Sequence, residues 1–341
     1  MQSKRIGFLT PYFSQSRGNA TTAKRLENGL SGAGFTVEIF AYEEETWRDD
    51  VRRRLEACEL LHILHFERFI SWKKNIKDFP NTPYIVTAGG TDLYESSGNF
   101  SLIHAFLQGA NKVVVFSKEG KERIELVFQL KPDQITIIPQ SVWFPSERES
   151  SEKPNIEGDP KLLLPAGLRP VKDVLYLLEP LKALQKKVYP SLKFVILGPV
   201  LDQDVYKDVM KEVSDHEWFI YKAAVPLSEV PNWYNWADVV LNSSLSEGQS
   251  SALLEAMALG VPVLARKIPG NEGVIKDLEN GLLFADEADF TEKLKRLLSN
   301  PNLRDHVIQK GKEAVDHEHS LKKEIADYTR IYEQAHITPV I

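Results

Sequence analysis

The stretch DVVLNSSLSEGQSSALLEAMALGVPVLA, residues 238–265, decides how the chain is read. It parses as an apolar strand, a polar loop, a helix, a glycine stop and a second apolar strand. Gly260 suits the position just past a helix end, and Pro262 prevents the helix from continuing. The helix begins at Ser250 or at nearby Gln249, and its apolar residues run all the way round, so it is expected to be buried. Glu255 nevertheless sits inside it, and Glu247 lies eight residues earlier in the loop. Buried carboxylates are costly unless something pairs with them. The helix start supplies unpaired backbone N–H groups and a dipole suited to phosphate. A diphosphate flanked by hydroxyl-rich groups accounts for all three features: phosphate on the N–H groups, ribose on one carboxylate, a sugar on the other. The rival reading, with Glu255 paired in the core and Glu247 capping the helix, stays open on these residues alone.

Outward from this stretch, the same alternation fills the chain. RIGFLT (5–10), TVEIFAY, LLHILHF, PYIVTAGG, KVVVFS and QITIIP read as buried strands of a parallel α/β sheet. PSERESSEKPNIEGDP (145–160) is polar and bears Pro and Gly, as linkers do. KLLLPAG, LKFVILG, EWFIYKAAV, DVVLNSS and VPVLA form a second series. SLKKEIADYTRIYEQA (320–335) is an amphipathic helix with Ile325, Tyr328, Ile331 and Tyr332 on one side. The expected organisation is α/β, two doubly wound Rossmann-like domains facing a cleft. Residues 1–143 form the first, joined by the C-terminal helix 320–341. Residues 144–160 form the linker and 161–319 the second domain. Ligands of such sheets bind beyond the carboxyl ends of the strands. PAGLRPVKD (165–173) follows a strand and brings Arg169 and Lys172 into one loop, where the charge of a diphosphate needs neutralising.

The bulk numbers fit. The chain has 341 residues, which suits two domains at about 100–200 residues each. A net charge of −6 argues against bulk nucleic-acid binding. The first half is balanced in charge, and the acidity belongs to the second. The single cysteine, Cys58, permits no disulfide within the chain and sits among apolar residues as an inert thiol, so a reducing, cytoplasmic location is expected. The N-terminus has no secretory pattern, and no apolar run approaches the roughly 18–20 residues of a membrane span.

The segment SEGQSSALLEAMALGVPVLA resembles the E-x7-E segment of retaining nucleotide-sugar glycosyltransferases of the GT-B fold (family 4, group 1). The resemblance spans the chain in outline, through GFLTPYFSQSRGNATTAKRL, TAGGTDLY, KVVVFSKEGKE, ITIIPQSV, AGLRPVKD, FVILGP and DLENGLLF. EGQSSALLEAM followed by PVLARKIPGN is most similar to a small subgroup, the glycosyltransferase 1 domain-containing protein 1 relatives. GNATTA followed by GGTDLY is similar to selenosugar synthases. The resemblance implies that Glu255 binds the donor ribose and Glu247 the hydroxyls of the transferred sugar. It places N–H groups near Gly248, Gln249, Ser250 and Ser251 on the diphosphate, and Arg169 and Lys172 on the leaving nucleotide diphosphate. The backbone near Ala224 and Val225 would meet the base, and the loop holding Gly18 and Asn19 would close over the phosphates. Arg169, Lys172 and Glu247 are thus the candidate catalytic residues. No cofactor or metal is implied, only a UDP-, GDP- or ADP-sugar as co-substrate. Three departures stand out. Gly167-Leu168-Arg169 shifts the usual arginine by two places, PQSV replaces the usual Asn-Gly, and Gly89-Gly90-Thr91-Asp92 lacks the histidine of His-Gly-x-Asp. That last loop is expected on the acceptor side.

The expected activity is therefore retaining sugar transfer from a nucleotide sugar. Two alternatives remain: a GT-B nucleotide-sugar-binding protein without transfer, and a two-carboxylate glycoside hydrolase using Glu247 and Glu255. RIGFLTP carries no G-x-G-x-x-G, so a nicotinamide dehydrogenase has little support. His62 and His65, three apart in a strand, should face opposite sides and not share a metal. His317 and His319 should lie at the surface or cap a helix start. FISWKKNIKDF (69–79) reads as a solvated helix face, with weak contact to an anionic membrane, or with an acceptor, as the alternatives.

Overall fold

The computed structural model describes residues 4–94, 99–145 and 154–335. The chain divides into two compact units, Met1–Gln140 with Ser320–Ile341, and Ser141–His319.

The first unit is built on six parallel strands, β1 (Arg5–Thr10), β2 (Thr36–Ala41), β3 (Leu60–Leu64), β4 (Tyr84–Ala88), β5 (Lys112–Val115) and β6 (Ile135–Ile137), in the order β2-β1-β3-β4-β5-β6. The intervening helices are α1 (Gly18–Gly32), α2 (Asp49–Glu56), α3 (Phe66–Lys73), α4 (Thr91–Tyr94), α5 (Phe100–Gln108) and α6 (Lys118–Phe128). Apart from the solvent-facing residues of β2 and β6, these strands are almost continuously buried, as helix-covered parallel strands must be. The final helix α14 (Leu321–Ala335) belongs to this unit and buries Ile325, Tyr328, Ile331 and Tyr332 against Ile6, Phe8, Leu26 and Leu60. Two polar devices fasten it. Arg25 of α1 grips Glu324 through both carboxylate oxygens, at 2.9 and 3.0 Å. His62 contacts the Tyr332 hydroxyl and the Thr87 hydroxyl, each at 2.7 Å. Burial lowers the His62 pKa to about 3, so the ring is neutral.

The second unit repeats the plan with β7 (Lys161–Pro165), β8 (Lys193–Leu197), β9 (Phe219–Lys222), β10 (Val239–Asn242), β11 (Val263–Arg266) and β12 (Leu282–Phe284), again all parallel, in the order β12-β11-β10-β7-β8-β9. Its helices are α7 (Leu178–Lys187), α8 (Gln203–Asp215), α9 (Val230–Trp236), α10 (Ser251–Ala258), α11 (Pro269–Glu272), α12 (Glu287–Ser299) and α13 (Pro301–Glu318). One apolar layer, with Leu162, Phe194 and Leu264, covers one face of the sheet. A second, with Leu163, Val195 and Leu253, covers the other. The chain runs from β7 outward through β8 to β9, then returns to add β10 on the opposite side of β7. The β7/β10 boundary is therefore the switch point, where the loops after neighbouring strands diverge and leave room for a ligand.

Several expectations change. Strand β12 was not anticipated: GLLF is too short to show a period. His65 lies beyond β3, in a left-handed conformation (φ 68°), where its side chain caps α3 by accepting from the Arg68 N–H. His317 is exposed in the last turn of α13, as expected, whereas His319, two residues before α14, is buried rather than at the surface. In 69–79 the helix stops at Lys73, and Trp72 and Phe79 pack with Phe40, Trp47 and Phe69 while the lysines stay exposed. Cys58, by contrast, is buried as expected, and burial pushes its thiol up to about 11. In the 144–160 segment, residues 146–153 lie outside the described residues. Further on, the Ile156 carbonyl accepts from the Trp236 indole at 2.9 Å, inside the second unit. No helix among the described residues is long and apolar enough to cross a membrane.

Candidate functional site

The loops after β7 and β10 meet at the switch point. Leu168 is buried and bridges to Val200, anchoring the β7 loop, and Pro170–Lys172 then form one tight turn. The β10 loop is stitched to that turn. The Leu245 N–H donates to the Val171 carbonyl at 2.9 Å, and the Ser243 hydroxyl to the Lys172 carbonyl at 3.0 Å.

These contacts bring together two residues 75 apart in sequence: the Lys172 ammonium donates to Glu247 Oε1 at 2.5 Å. Side-chain exposure is only 17% for Lys172 and 10% for Glu247. The same carboxylate oxygen also accepts from the Ser244 hydroxyl at 2.7 Å and the Asn242 amide at 3.2 Å. Burial alone would raise the Glu247 pKa. The Lys172 charge and the three hydrogen bonds outweigh it and hold the carboxyl below its ordinary value. Asn242 is itself oriented by Asn271 of α11, whose amide donates to its oxygen at 3.0 Å. Gly270 lies directly under Glu247, where a Cβ would fall 2.0 Å from the Glu247 carbonyl oxygen.

Helix α10 starts where the sequence placed it. Ser250 is its N-cap and Ser251 its first residue, and the Ser250 side chain makes no capping bond. Gly248, Gln249 and Ser250 are buried, and Ser251 is half-buried. At its other end Gly260 takes the left-handed conformation (φ 74°) that a helix stop needs. Glu255 is half-buried, and its carboxylate has a protein partner. The Tyr234 hydroxyl of α9 donates to Glu255 Oε2 at 2.7 Å. Burial first, and then the Glu255 charge, push the Tyr234 pKa well above 10, so it stays a donor. Arg169 is half-buried, and its Nε is shielded with no hydrogen-bond partner among the described residues. Ala224 and Val225 are half-buried in the loop after β9.

The remaining predicted residues belong to the first unit. Gly18 opens α1 behind Arg17, which makes no side-chain cap, and Asn19 follows half-buried. Gly89 lies flat against the Phe116 ring, where a Cβ would come within 1.8 Å of a ring carbon. The Gly90 N–H donates to Asp92 Oδ1 at 2.9 Å, Thr91 opens α4, and Asp92 is fully buried. Among the described residues no three His, Cys, Asp or Glu side chains converge as a metal-ligand set.

Sequence reasoning missed Asn242, Ser243, Ser244, Tyr234, Arg266 and Asn271. The NSS run ending β10 was a usable signal, because polar residues at a strand's carboxyl end face the ligand side. Tyr234 and Arg266 had none, since their importance depends on which strands are neighbours.

Two parallel doubly wound units, with a Lys–Glu pair and an uncapped helix start at the crossover of the second, define the GT-B class of glycosyltransferase. The chain belongs to the family described as glycosyl transferases group 1, whose profile matches residues 146–314. Glycosyltransferase 1 domain-containing protein 1 of Xenopus tropicalis is 30% identical over 329 residues, covering 91% of this chain and 92% of the relative. Among solved structures, a glycosyltransferase from Rickettsia africae superposes with a TM-score of 0.77 at 16% identity, covering 99% of this chain and 100% of that one. Anabaena HepE, in complex with UDP and glucose, superposes with a TM-score of 0.79 at 12% identity, covering 97% and 100%. At those identities the likeness is one of fold.

Proposed function

We propose that this chain transfers a sugar from a nucleotide-sugar donor to an acceptor, with retention at the anomeric carbon and without a metal. The observation that carries the reading is the convergence at one switch point of Lys172, Glu247 and the uncapped start of α10. A cation, a sugar-facing carboxylate and a phosphate-binding helix terminus are what such a donor needs together. The N–H groups of Gln249, Ser250 and Ser251 would take the diphosphate. Glu255, oriented by Tyr234, would take the ribose, and Glu247 the sugar hydroxyls. The backbone near Ala224 and Val225 would lie along the base. In this reading Arg169 and Lys172 neutralise the leaving diphosphate as its charge grows, so catalysis rests on leaving-group stabilisation and positioning. Those cations and the helix terminus take the part a divalent ion plays elsewhere, so chelation should leave turnover unchanged. A two-carboxylate hydrolase would need one carboxyl held protonated as the acid. Glu247 is held below its ordinary value and so does not suit the part of that acid, and the uncapped start of α10, suited to phosphate, favours transfer. The uridine ligands of HepE make UDP-sugars the first donors to try.

A thermal-shift panel of UDP-, GDP- and ADP-sugars tests this reading. A donor at about 100 times its Kd should stabilise by roughly 2.7 kcal/mol. Glu255→Gln should weaken the responding donor about tenfold, as losing a hydrogen bond to a charged group does. A panel that shifts nothing at millimolar concentration ends the reading. Product of inverted anomeric configuration, read by NMR, ends the claim of retention.

A further inference from the structure

Arg266 is the last residue of β11, a strand that contributes none of the donor-facing groups named above. Its side chain runs back across the carboxyl end of β10. The Nη1 group donates to Asp173 Oδ2 at 2.8 Å and to the Ser243 carbonyl at 3.3 Å. The guanidinium lies over the Tyr176 ring, 4.1 Å from its centroid. One cation thus holds the loop after β7, through Asp173 and Tyr176, and the loop after β10, through Ser243. Asp173 is the residue next to Lys172 and closes the turn in the left-handed region (φ 43°, ψ 46°), which aspartate adopts more readily than most non-glycine residues. Ser243 in turn holds the Lys172 carbonyl.

We propose that Arg266 is a positioning residue for the donor site: it clamps the Lys172–Asp173 turn onto the Ser243–Glu247 loop and so sets where the Lys172 ammonium stands. The inference rests on the reading of Lys172 as a diphosphate ligand. No contact joins Arg266 to Lys172 Nζ or to Glu247 among the described hydrogen bonds and ion pairs, so its effect passes through the two backbones. The planar guanidinium suits the task, since it stacks on a ring and donates to two acceptors at once, which an ammonium on a flexible stem does less well. With Arg266 shortened, the turn keeps its hydrogen bonds from the Leu245 N–H and the Ser243 hydroxyl and loses the clamp on Asp173 and Tyr176.

Two measurements on the full chain test this. Hydrogen exchange without ligand compares wild type with Arg266→Ala. Exchange should quicken in segments 168–176 and 243–250 and stay unchanged in the helices of the first unit. Calorimetric titration with UDP compares wild type, Arg266→Ala, Arg266→Lys, Lys172→Ala and the Arg266→Ala/Lys172→Ala double variant. Arg266→Ala should weaken UDP about fivefold, and less than about twofold once Lys172 is gone, because residues acting through one another are not additive. Arg266→Lys should fall between, and Asp173→Asn should reproduce Arg266→Ala if the latter folds poorly. Equal losses in both backgrounds, or unchanged exchange in either loop, overturn the proposal. Wild-type protein that binds no UDP counts against the donor reading alone, and the exchange experiment then decides this inference by itself.

Discussion

Lys172 and Glu247 form a nearly buried ion pair, 2.5 Å between Nζ and Oε1, across the two loops that diverge at the switch point of the second sheet. The pair stands where donor diphosphate and sugar are assigned. Each charge satisfies the other.

Removing one partner should expose that dependence. Lys172→Ala leaves the shielded Glu247 carboxyl without its cation, and should lower stability at neutral pH by about 1–3 kcal/mol. The sign with pH follows from the depressed Glu247 pKa. Its stabilisation is complete above the unfolded-state value of about 4.3 and is lost as pH falls through the lower folded value. Denaturant unfolding at a series of pH values should show the gap between wild type and variant closing in acid. A gap that widens in acid contradicts the assignment.

Gly270→Ala is expected to disturb Glu247 without touching its charge. The added Cβ would meet the Glu247 carbonyl oxygen at 2.0 Å and its Cβ at 3.0 Å. Overpacking of this kind costs about 1–3 kcal/mol, and the displaced loop should bind UDP more weakly. Wild-type stability and affinity in this variant would show that the contact yields freely.

The Arg25–Glu324 pair has side-chain exposures of 2% and 1%. Arg25→Met would leave a buried carboxylate without its cation and should cost about 3–5 kcal/mol. Arg25→Met combined with Glu324→Leu should recover much of that loss, since neither charge then remains. A double variant less stable than the single one would show that the pair contributes more than its desolvation penalty.

His62 should stay neutral on acidification. Its folded pKa is lowered to about 3 by burial, while the unfolded ring titrates near 6.5. The unfolded state therefore takes up the proton first, and this residue lowers stability as pH falls from about 6.5 towards 3. NMR of the ring should show no titration down to about pH 5. A normal histidine titration in the folded protein would contradict its burial between Tyr332 and Thr87.

Much of the architecture was legible because its signals are local. A run such as KVVVFS has no polar residue until it ends, and Gly260 with Pro262 marks a helix stop whatever surrounds it. The spacing of Glu247 and Glu255 around a helix start is likewise a property of one segment. β12 was hidden because three residues are too few to display a period, and His65 because its left-handed cap lies just past a strand end.

The sequence by itself determined the two α/β series, their boundaries in outline and the family, and it picked out one segment as the candidate for the site. Only the tertiary structure decided which groups touch. Glu255 meets Tyr234, 21 residues away; Lys172 meets Glu247, 75 away; and Arg266 meets Asp173, 93 away. Each of those contacts depends on strand order, since β10 pairs with β7 and β11 with β10 only once the crossover is made. The reason is physical. Strand and helix patterns come from neighbours along the chain, whereas a carboxylate's partner is chosen by whichever loops the folded sheet sets side by side.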